Sequence, residues 1–505
     1  MIDEIYLKRS ASTTDTERML KVVTSIQANP IEITSSDPDL ISKVTVSDQA
    51  KFGNISGATT INMIGSDWTT AGTINDASQL NANTAIAEVQ VGAGASTNNE
   101  AKKLAFTGAS KLDITPNENG SIETLTIFDK ATLGAVSGVT NVTINSPSKN
   151  WTADVVTDAT SLDVKNPVNN VYVGSNVIVP ASSDDTASLV FKTTSKPLNI
   201  SDNYHIGNLI IKDNALLGDI NSVKTMEVSG AGWKVEGWID NSRDLTLKTP
   251  VDNIYVSSSK DASISVLPNL SSLRLRTPAD TETRLAIDTE GEGVIKHLHI
   301  HDSTNLGDVG ATEHLTIHSA SKNWKLTRNN PLHDLKLLTV AEGASVDAVT
   351  FVPQGPLKST NDKSQTIPLS FDQTSFAGVD HFELSSNGQV NSVDFSEDSA
   401  RPPLYHVQAG GKTDSLKGRS GLGDELTLVK GEVSQVEGID SIVATGIGWK
   451  VSGWIDKART LSAASPIDHL YVSDTETPVM EPRDMSSRLR MATGDQPLTV
   501  EGSAP

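Results

Sequence analysis

The sequence predicts an all-β protein, an elongated β-solenoid resembling a parallel β-helix and built from repeats of 82–90 residues. Three observations predict it. Tryptophan recurs at one position of a long repeat, short L-x-V/I segments follow one another every nine or ten residues, and the composition suits short strands with polar turns. Hydrophobic residues make up 37% of the 505 residues and aromatic residues only 4%. A chain rich in Thr, Val, Ile, Asn and Asp favours strands and turns over helices.

The tryptophans mark the repeat. Five of the seven follow a strand-like segment at a fixed place, with spacings of 83, 82, 91 and 125 residues. A period of this length indicates a repeat architecture. We interpret these five side chains as packing anchors of the repeat rather than as a ligand-stacking ladder. They are Trp68, Trp151, Trp233, Trp324 and Trp449.

A longer phrase precedes four of the tryptophans. It reads VTVSDQAKFGNI (44–55), LTIFDKATLGAV (125–136), LIIKDNALLGDI (209–220) and LHIHDSTNLGDV (298–309). In each copy an Asp lies four places after the first apolar position and a Gly lies five places further on. The next strand begins at the same distance in all four copies, at Ile61, Val142, Met226 and Leu315. Trp follows that start by seven places in copies one and three and by nine places in copies two and four. The fifth repeat, which contains Trp449, again has the spacing of seven. This alternation indicates a unit of two repeats.

The repeated Asp residues allow two interpretations, a row of carboxylates for calcium and a turn. Asp bonds nearby backbone amides and Gly supplies unusual backbone angles, so the spacing favours a turn. The residues are Asp48, Asp129, Asp213 and Asp302.

The second repeat predicts a strand near each of nine positions: Leu125, Leu133, Val142, Trp151, Leu162, Val171, Leu189, Leu198 and Leu209. Two such strands in each turn of a coil would give turns of about 19 residues, and three would give about 28. Both remain open from the sequence. The alternative fold is a string of tandem Ig-like β-sandwiches, whose strands recur at a similar spacing.

The pattern divides the chain into eight segments. Residues 1–30 are an N-terminal segment, 31–98 a partial first repeat, 99–182, 183–264 and 265–350 repeats two to four, 351–420 an irregular insertion or degenerate repeat, 421–485 repeat five, and 486–505 the start of a truncated repeat. Insertions in repeat arrays often carry an individual binding surface, so segment 351–420 is where we expect one. The N-terminal segment predicts a capping helix over 14–27, because Thr14 and Glu17 form a T-x-x-E capping box before an apolar stripe.

Composition excludes several function classes. The net charge of -21 opposes binding to nucleic acid, whose phosphates are also negative. The chain has no cysteine, so disulfides and thiolate chemistry are absent, and no apolar run is long enough for a membrane-spanning helix. The N-terminus lacks the apolar core of a Sec signal. We therefore expect a bacterial extracellular or cell-surface protein exported by a route not visible here, or a component of a phage particle.

Histidine forms the sharpest cluster. Five of the ten histidines lie close together, in KHLHIHD and EHLTIHS. If the strands starting at Leu298 and Leu315 are neighbours, His297 lies over His314 and His301 over His318, outward beside inward Leu and Ile. Such a cluster suits a divalent transition metal such as Zn²⁺, Ni²⁺ or Cu²⁺, a pH response, or an ordinary polar face. Its members are His297, His299, His301, His314 and His318.

Catalytic motifs are weak by comparison. The phrase GWID, at 237–240 and 453–456, resembles the W-I-D-H segment of pectate lyases, but Asn241 and Lys457 follow where that family has histidine. In composition and repeat style the chain broadly resembles the stalks of bacterial surface adhesins and autotransporter passengers. We therefore expect a non-catalytic β-repeat protein whose extended surface meets a protein or glycan in adhesion or assembly. It would self-associate through the truncated C-terminal repeat and bind neither nucleic acid nor the membrane interior. The alternatives are a polysaccharide-degrading β-helix enzyme of the lyase or tailspike type, and a secreted effector or toxin.

Overall fold

The computed structural model describes residues 4–8, 19–23, 29–35, 41–177, 187–259, 264, 270–277, 284–320, 324–326, 334–351, 369–371, 381–395, 404–477 and 487–502. These residues form strands, turns and bends, and none of them is helical. The all-β prediction is therefore confirmed. The chain divides into two compact units, Met1–Arg243 and Asp244–Pro505.

Short strands make up the first unit. They are β1 (Glu4–Lys8), β2 (Met19–Val23), β3 (Ile31–Ile33), β4 (Ile41–Val46), β5 (Lys51–Ser56), β6 (Ala58–Met63), β7 (Thr69–Thr70), β8 (Ile74–Asn75), β9 (Gln79–Ala82), β10 (Ala85–Val91), β11 (Glu100–Ala101), β12 (Lys103–Thr107), β13 (Leu112–Pro116), β14 (Ser121–Ile127), β15 (Thr132–Ser137), β16 (Val139–Ile144), β17 (Thr152–Thr157), β18 (Ser161–Val164), β19 (Val168–Gly174), β20 (Ser188–Lys192), β21 (Leu198–Asp202), β22 (Ile206–Ile211), β23 (Leu216–Asn221), β24 (Thr225–Val228), β25 (Lys234–Val235) and β26 (Ile239–Asp240).

The second unit is built in the same way. Its strands are β27 (Asp244–Leu247), β28 (Val251–Ser257), β29 (Ser272–Arg276), β30 (Leu285–Thr289), β31 (Ile295–Ile300), β32 (Asn305–Val309), β33 (Thr312–Ile317), β34 (Lys325–Leu326), β35 (Leu337–Val340), β36 (Ser345–Phe351), β37 (Leu369–Phe371), β38 (His381–Ser386), β39 (Gln389–Asp394), β40 (Leu404–Ala409), β41 (Lys412–Lys417), β42 (Glu425–Leu428), β43 (Gly431–Glu437), β44 (Ser441–Ala444), β45 (Trp449–Val451), β46 (Ile455–Asp456), β47 (Thr460–Ala463), β48 (His469–Ser473), β49 (Arg488–Ala492) and β50 (Thr499–Gly502).

Consecutive strands of the first unit largely alternate between two parallel sheets. One runs β2-β1-β4-β6-β9-β13-β15-β17-β20-β19-β22-β24, and the other contains β10-β14-β16-β18-β21-β23 with β3, β5, β7, β8, β12, β25 and β26 alongside. Copies one and three of the long phrase begin in the first of these sheets and copy two in the second. The short pair β7–β11 is antiparallel.

The second unit repeats this alternation in three sheets. One contains β27-β30-β32-β34, a second contains β28-β31-β33-β35-β38-β40-β42-β44-β47-β50, and a third contains β37-β36-β39-β41-β43-β46-β49-β48. The described pairings of this unit are parallel. Parallel sheets rule out the alternative of tandem Ig-like sandwiches, since those are built from antiparallel strands.

The constant spacing between the strands of the long phrase is the register of the sheets. The first apolar residue of each phrase is the Cα partner of the first apolar residue of the next strand, and both side chains are fully buried. The partners are Val44 and Ile61, Leu125 and Val142, Leu209 and Met226, and Leu298 and Leu315. Burying each such side chain contributes about 1.5–3 kcal/mol.

The repeated Gly of the phrase lies at a β-bulge, where one strand carries an extra residue. Leu112 pairs with Leu133, but Ile114 pairs with Val136. The strand that contains Gly134 therefore has one extra residue between these two pairs. The same register shift occurs at the other three copies, Gly53, Gly218 and Gly307. A Cβ on Gly134 would lie 1.9 Å from Oδ1 of Asp113, so a larger residue here would require that carboxylate to move.

The predicted helix over 14–27 is wrong where the structure describes it. Residues Met19–Val23 form strand β2, parallel to Glu4–Lys8. Consecutive β-branched valines suit a strand, and an adjacent partner strand satisfies the backbone groups that a capping box would otherwise serve. Residues 14–18 and 24–27 lie outside the described residues.

Segment 351–420 contributes regular strands. β38 and β40 pair with each other in parallel, and so do β39 and β41. Residues 352–368, which include the whole sequence QGPLKSTNDKSQTIP, lie outside the described residues.

Candidate functional site: a histidine face on two paired strands

The five clustered histidines lie on or directly after two neighbouring parallel strands. β31 and β33 pair with His297 opposite His314 and His299 opposite Thr316. Leu298, Ile300 and their partners on β33 are fully buried, while His297, His299 and His314 are half-buried. Alternation along a strand places side chains on opposite faces, so the apolar pairs fix the imidazoles on the outer face. We call these five side chains the histidine face.

Two pairs of ring nitrogens are in contact across this face. Nδ1 of His297 lies 3.0 Å from Nδ1 of His314, and Nδ1 of His299 lies 3.1 Å from Nε2 of His318. The rings of His301 and His318 stack, with centroids 4.6 Å apart. The register therefore does bring His297 to His314 and His301 to His318, as the sequence predicts. The diagonal contact between His299 and His318 is additional.

A tyrosine on the adjacent strand extends the stack. Tyr255 of β28 is the Cα partner of His299, and the two rings stack at 4.5 Å with planes inclined by 10°. Tyr255 belongs to the phrase LTLKTPVDNIYV (245–256), which recurs as LDVKNPVNNVYV (162–173) and LSAASPIDHLYV (461–472) with tyrosine at the same place. Its position was therefore visible in the sequence. Its contact with histidine was not, because two further strands, β29 and β30, separate β28 from β31 along the chain.

Crowding favours the neutral form of three of these imidazoles, those of His299, His314 and His318. Loss of contact with water, and after it the neighbouring rings of His318, His297 and His301, lower the pKa of His299 to about 3. The same loss of water lowers the pKa of His318 to about 4, with His301 as the second cause, although part of the His318 side chain stays exposed. Burial also lowers the pKa of His314. A contacting pair of nitrogens can form a hydrogen bond only when one of them lacks a proton, so protonating both rings would replace attraction with repulsion.

Ion pairs flank the histidine face. Lys296 Nζ lies 2.7 Å from Oδ1 of Asp252, and Lys336 Nζ lies 2.5 Å from Oε1 of Glu313. Ser271 also donates two hydrogen bonds to the carboxylate of Asp252, one from its backbone amide and one from its hydroxyl. Each of these two cations is thus matched by a carboxylate.

The five repeat tryptophans are all buried, with between 0% and 7% of each residue exposed. Phe52 packs against Trp68, with ring centroids 6.2 Å apart. The indole N–H groups of Trp68, Trp151, Trp324 and Trp449 are buried without a hydrogen-bond acceptor. Rings in this position are closed to a ligand and support the apolar packing of their turns.

The repeated Asp residues bind the turn that follows the neighbouring strand of the same sheet. Asp48 accepts bonds from the amide and hydroxyl of Ser66, and Asp213 accepts one from the amide of Ala231. Asp129 accepts bonds from Ser146 and Ser148, and these donors lower its pKa. The hydroxyl of Ser319 bonds to Asp302 in the same way. The carboxylates therefore link the loops that follow two neighbouring strands. This is a longer-range contact than the local turn that the spacing favoured.

A buried ion pair near the end of segment 351–420 was not predicted. The guanidinium of Arg419 contacts the carboxylate of Asp424 through Nε and Nη2, and both side chains are almost fully buried. The ring of Tyr405 lies 4.1 Å from the guanidinium carbon and stacks on Phe395. Nothing in the amino-acid pattern indicated the pair, since a lone Arg and Asp a few positions apart are ordinary surface residues.

Comparison with known proteins gives no relative for this arrangement. No protein-family model, curated protein or solved structure matches the chain significantly. Across the described ranges, no helix has the length and apolar character needed to span a membrane.

Proposed function

We propose that each unit is a β-solenoid with two strands per turn, and that the protein is a non-catalytic surface or particle component used for adhesion or assembly. The observation that carries the proposal is the parallel pairing of alternate strands, at the same separation in four copies of the long phrase, with buried apolar pairs inside. In such a coil the inward positions are fixed by packing, while the outward positions are free to vary and present a continuous surface. The histidine face is one such variation.

The carboxylates support a scaffold role. The recurring Asp48, Asp129, Asp213 and Asp302 each accept hydrogen bonds from the next turn. A carboxylate held in this way stabilises the coil and is poorly placed to act as a general acid or base. The partner we propose is a protein or glycan surface, met outside a bacterial cell or on a phage particle.

Binding and turnover measured together test the function. The full chain is applied to a glycan array and to bacterial cells, and every glycan that binds is incubated with the protein and examined for cleavage products. We expect retention without product. Release of shortened glycan would overturn the non-catalytic proposal in favour of a lyase or tailspike type of enzyme, and toxicity without surface binding would favour an effector.

The solenoid is tested separately by small-angle X-ray scattering of the full chain. The sequence predicts an elongated particle, and a rod-like cross-section is the expected result. A profile of separate globular beads would contradict the solenoid and leave the binding result to be interpreted on its own.

A further inference from the structure

We propose that the histidine face binds divalent transition-metal ions, one at the nitrogen pair of His297 and His314 and one at the pair of His299 and His318. A metal bonded to two imidazoles at about 2.0–2.1 Å, with an angle of about 90–110° between the bonds, holds the nitrogens about 2.8–3.4 Å apart. The two pairs already lie at 3.0 and 3.1 Å. The spacing of the nitrogens therefore already matches a chelate, and each ring has to turn so that its nitrogen faces the metal.

The donor atoms select the class of metal. Imidazole suits Zn²⁺, Ni²⁺ and Cu²⁺, with Cu²⁺ the strongest, whereas Ca²⁺ and Mg²⁺ require oxygen ligands. Among the described residues no three His, Asp or Glu side chains converge on one point. Each ion would thus take two nitrogens from the protein and complete its coordination with water, so we expect two open, exchangeable sites.

The charges around the histidine face permit a cation to approach. The flanking Lys296 and Lys336 are paired with carboxylates, which limits their repulsion of an incoming cation.

The scaffold holds the ligands in place. Four fully buried side chains, Leu298, Ile300, Leu315 and Ile317, anchor the two strands in register beneath the imidazoles. Ligands mounted on paired strands keep their spacing better than ligands on loops. Tyr255 covers one side of His299 and restricts the orientation of its ring.

Cu²⁺ titration of the chelator-treated full chain tests the proposal, with calorimetry for stoichiometry and electron paramagnetic resonance for the ligands. We expect two ions per chain, each with two imidazole nitrogens. The pair H297Q/H314Q should remove one ion, and H299Q/H318Q the other, with at least tenfold weaker binding at the altered pair. The variant H469Q, which replaces an exposed histidine outside the face, is the matched control and should bind as the parent does.

Several outcomes would overturn the proposal. They are the absence of saturable binding, a resonance spectrum with only oxygen ligands, and unchanged stoichiometry in both double variants. Should a double variant fail to fold, the spectrum of the unaltered chain still decides, because it reports the number of imidazole nitrogens directly. The proposal does not depend on the adhesion function, and a failure of either leaves the other standing.

Discussion

Replacing Gly134 by alanine should weaken the β-bulge between β13 and β15 because the new methyl group would meet the side chain of Asp113. A Cβ at this position lies 1.9 Å from Oδ1 and 3.0 Å from Cγ of that residue. The same Oδ1 accepts a hydrogen bond from the amide of Ala135 at 2.8 Å, so moving it away breaks this bond. Overpacking costs about 1–3 kcal/mol and the lost bond about 0.5–1.5 kcal/mol. Because the carboxylate is exposed and can rotate, we expect a total near the lower end, about 1–2 kcal/mol.

A double-mutant cycle isolates the cause. In the D113A background the methyl group has no carboxylate to meet, so G134A should then cost close to nothing, and the coupling between the two changes should be about 1–2 kcal/mol. Hydrogen exchange followed by mass spectrometry on peptides covering β13 and β15 measures the local free energy of opening. Gly307 occupies the same place in the second unit with no atom nearer than 3.6 Å, so G307A is the matched control. Equal losses for G134A in both backgrounds would refute the steric explanation.

Three further changes test the packing and the electrostatics. W151A removes a fully buried indole and should cost about 3–5 kcal/mol, seen as a lower thermal midpoint; a loss below about 1 kcal/mol would contradict its role as an anchor. In metal-free protein the strands of the histidine face should keep their full stability above about pH 6.5. They should lose stability as the pH falls from there toward the pKa values of about 3 for His299 and about 4 for His318. The reason is that the unfolded chain binds protons that the folded chain excludes. Hydrogen exchange of β31 and β33 against pH measures this, and a flat profile would be inconsistent with it. D424N leaves the charge of Arg419 buried without its counter-ion and should cost about 3–5 kcal/mol in urea unfolding, whereas an unchanged midpoint would show that the pair contributes nothing.

The sequence predicted the strands and their register well because both follow from apolar periodicity. All nine strand positions expected in the second repeat coincide with strands β14 to β22, Trp151 lying one residue before β17. The equal spacing in four copies is the separation of the Cα partners, although the number of strands per turn, and with it this pairing, was left open by the sequence. Local pattern is sufficient here since a parallel neighbour at constant separation repeats the same inward positions.

Contacts between distant segments were beyond the sequence. The strand Met19–Val23 pairs with Glu4–Lys8, and this tertiary pairing overrides the helical pattern of the same residues. At the histidine face, the register predicted two vertical contacts. The diagonal approach of His299 to His318 depends on side-chain rotamers, and the stacking of Tyr255 depends on which earlier strand lies beside β31. Neither property is encoded in spacing alone.

The alternating distance to tryptophan has a physical cause at one position of the turn. Four places after the start of the second strand, Gly65, Gly230 and Gly446 stand in the copies with the shorter spacing. An added Cβ there would lie within about 2 Å of the backbone that follows the neighbouring strand, at Ser47, Lys212 and Val429. In the copies with the longer spacing that position is Ser146 or Ser319, whose hydroxyl bonds to the repeated Asp instead. A tight turn requires glycine, and a longer turn leaves room for a side chain. Both turns are followed by a buried indole, since Trp68 and Trp151 are equally inaccessible to solvent. The spacing therefore varies because the chain closes the same turn in two ways, while the position of the indole in the core is kept.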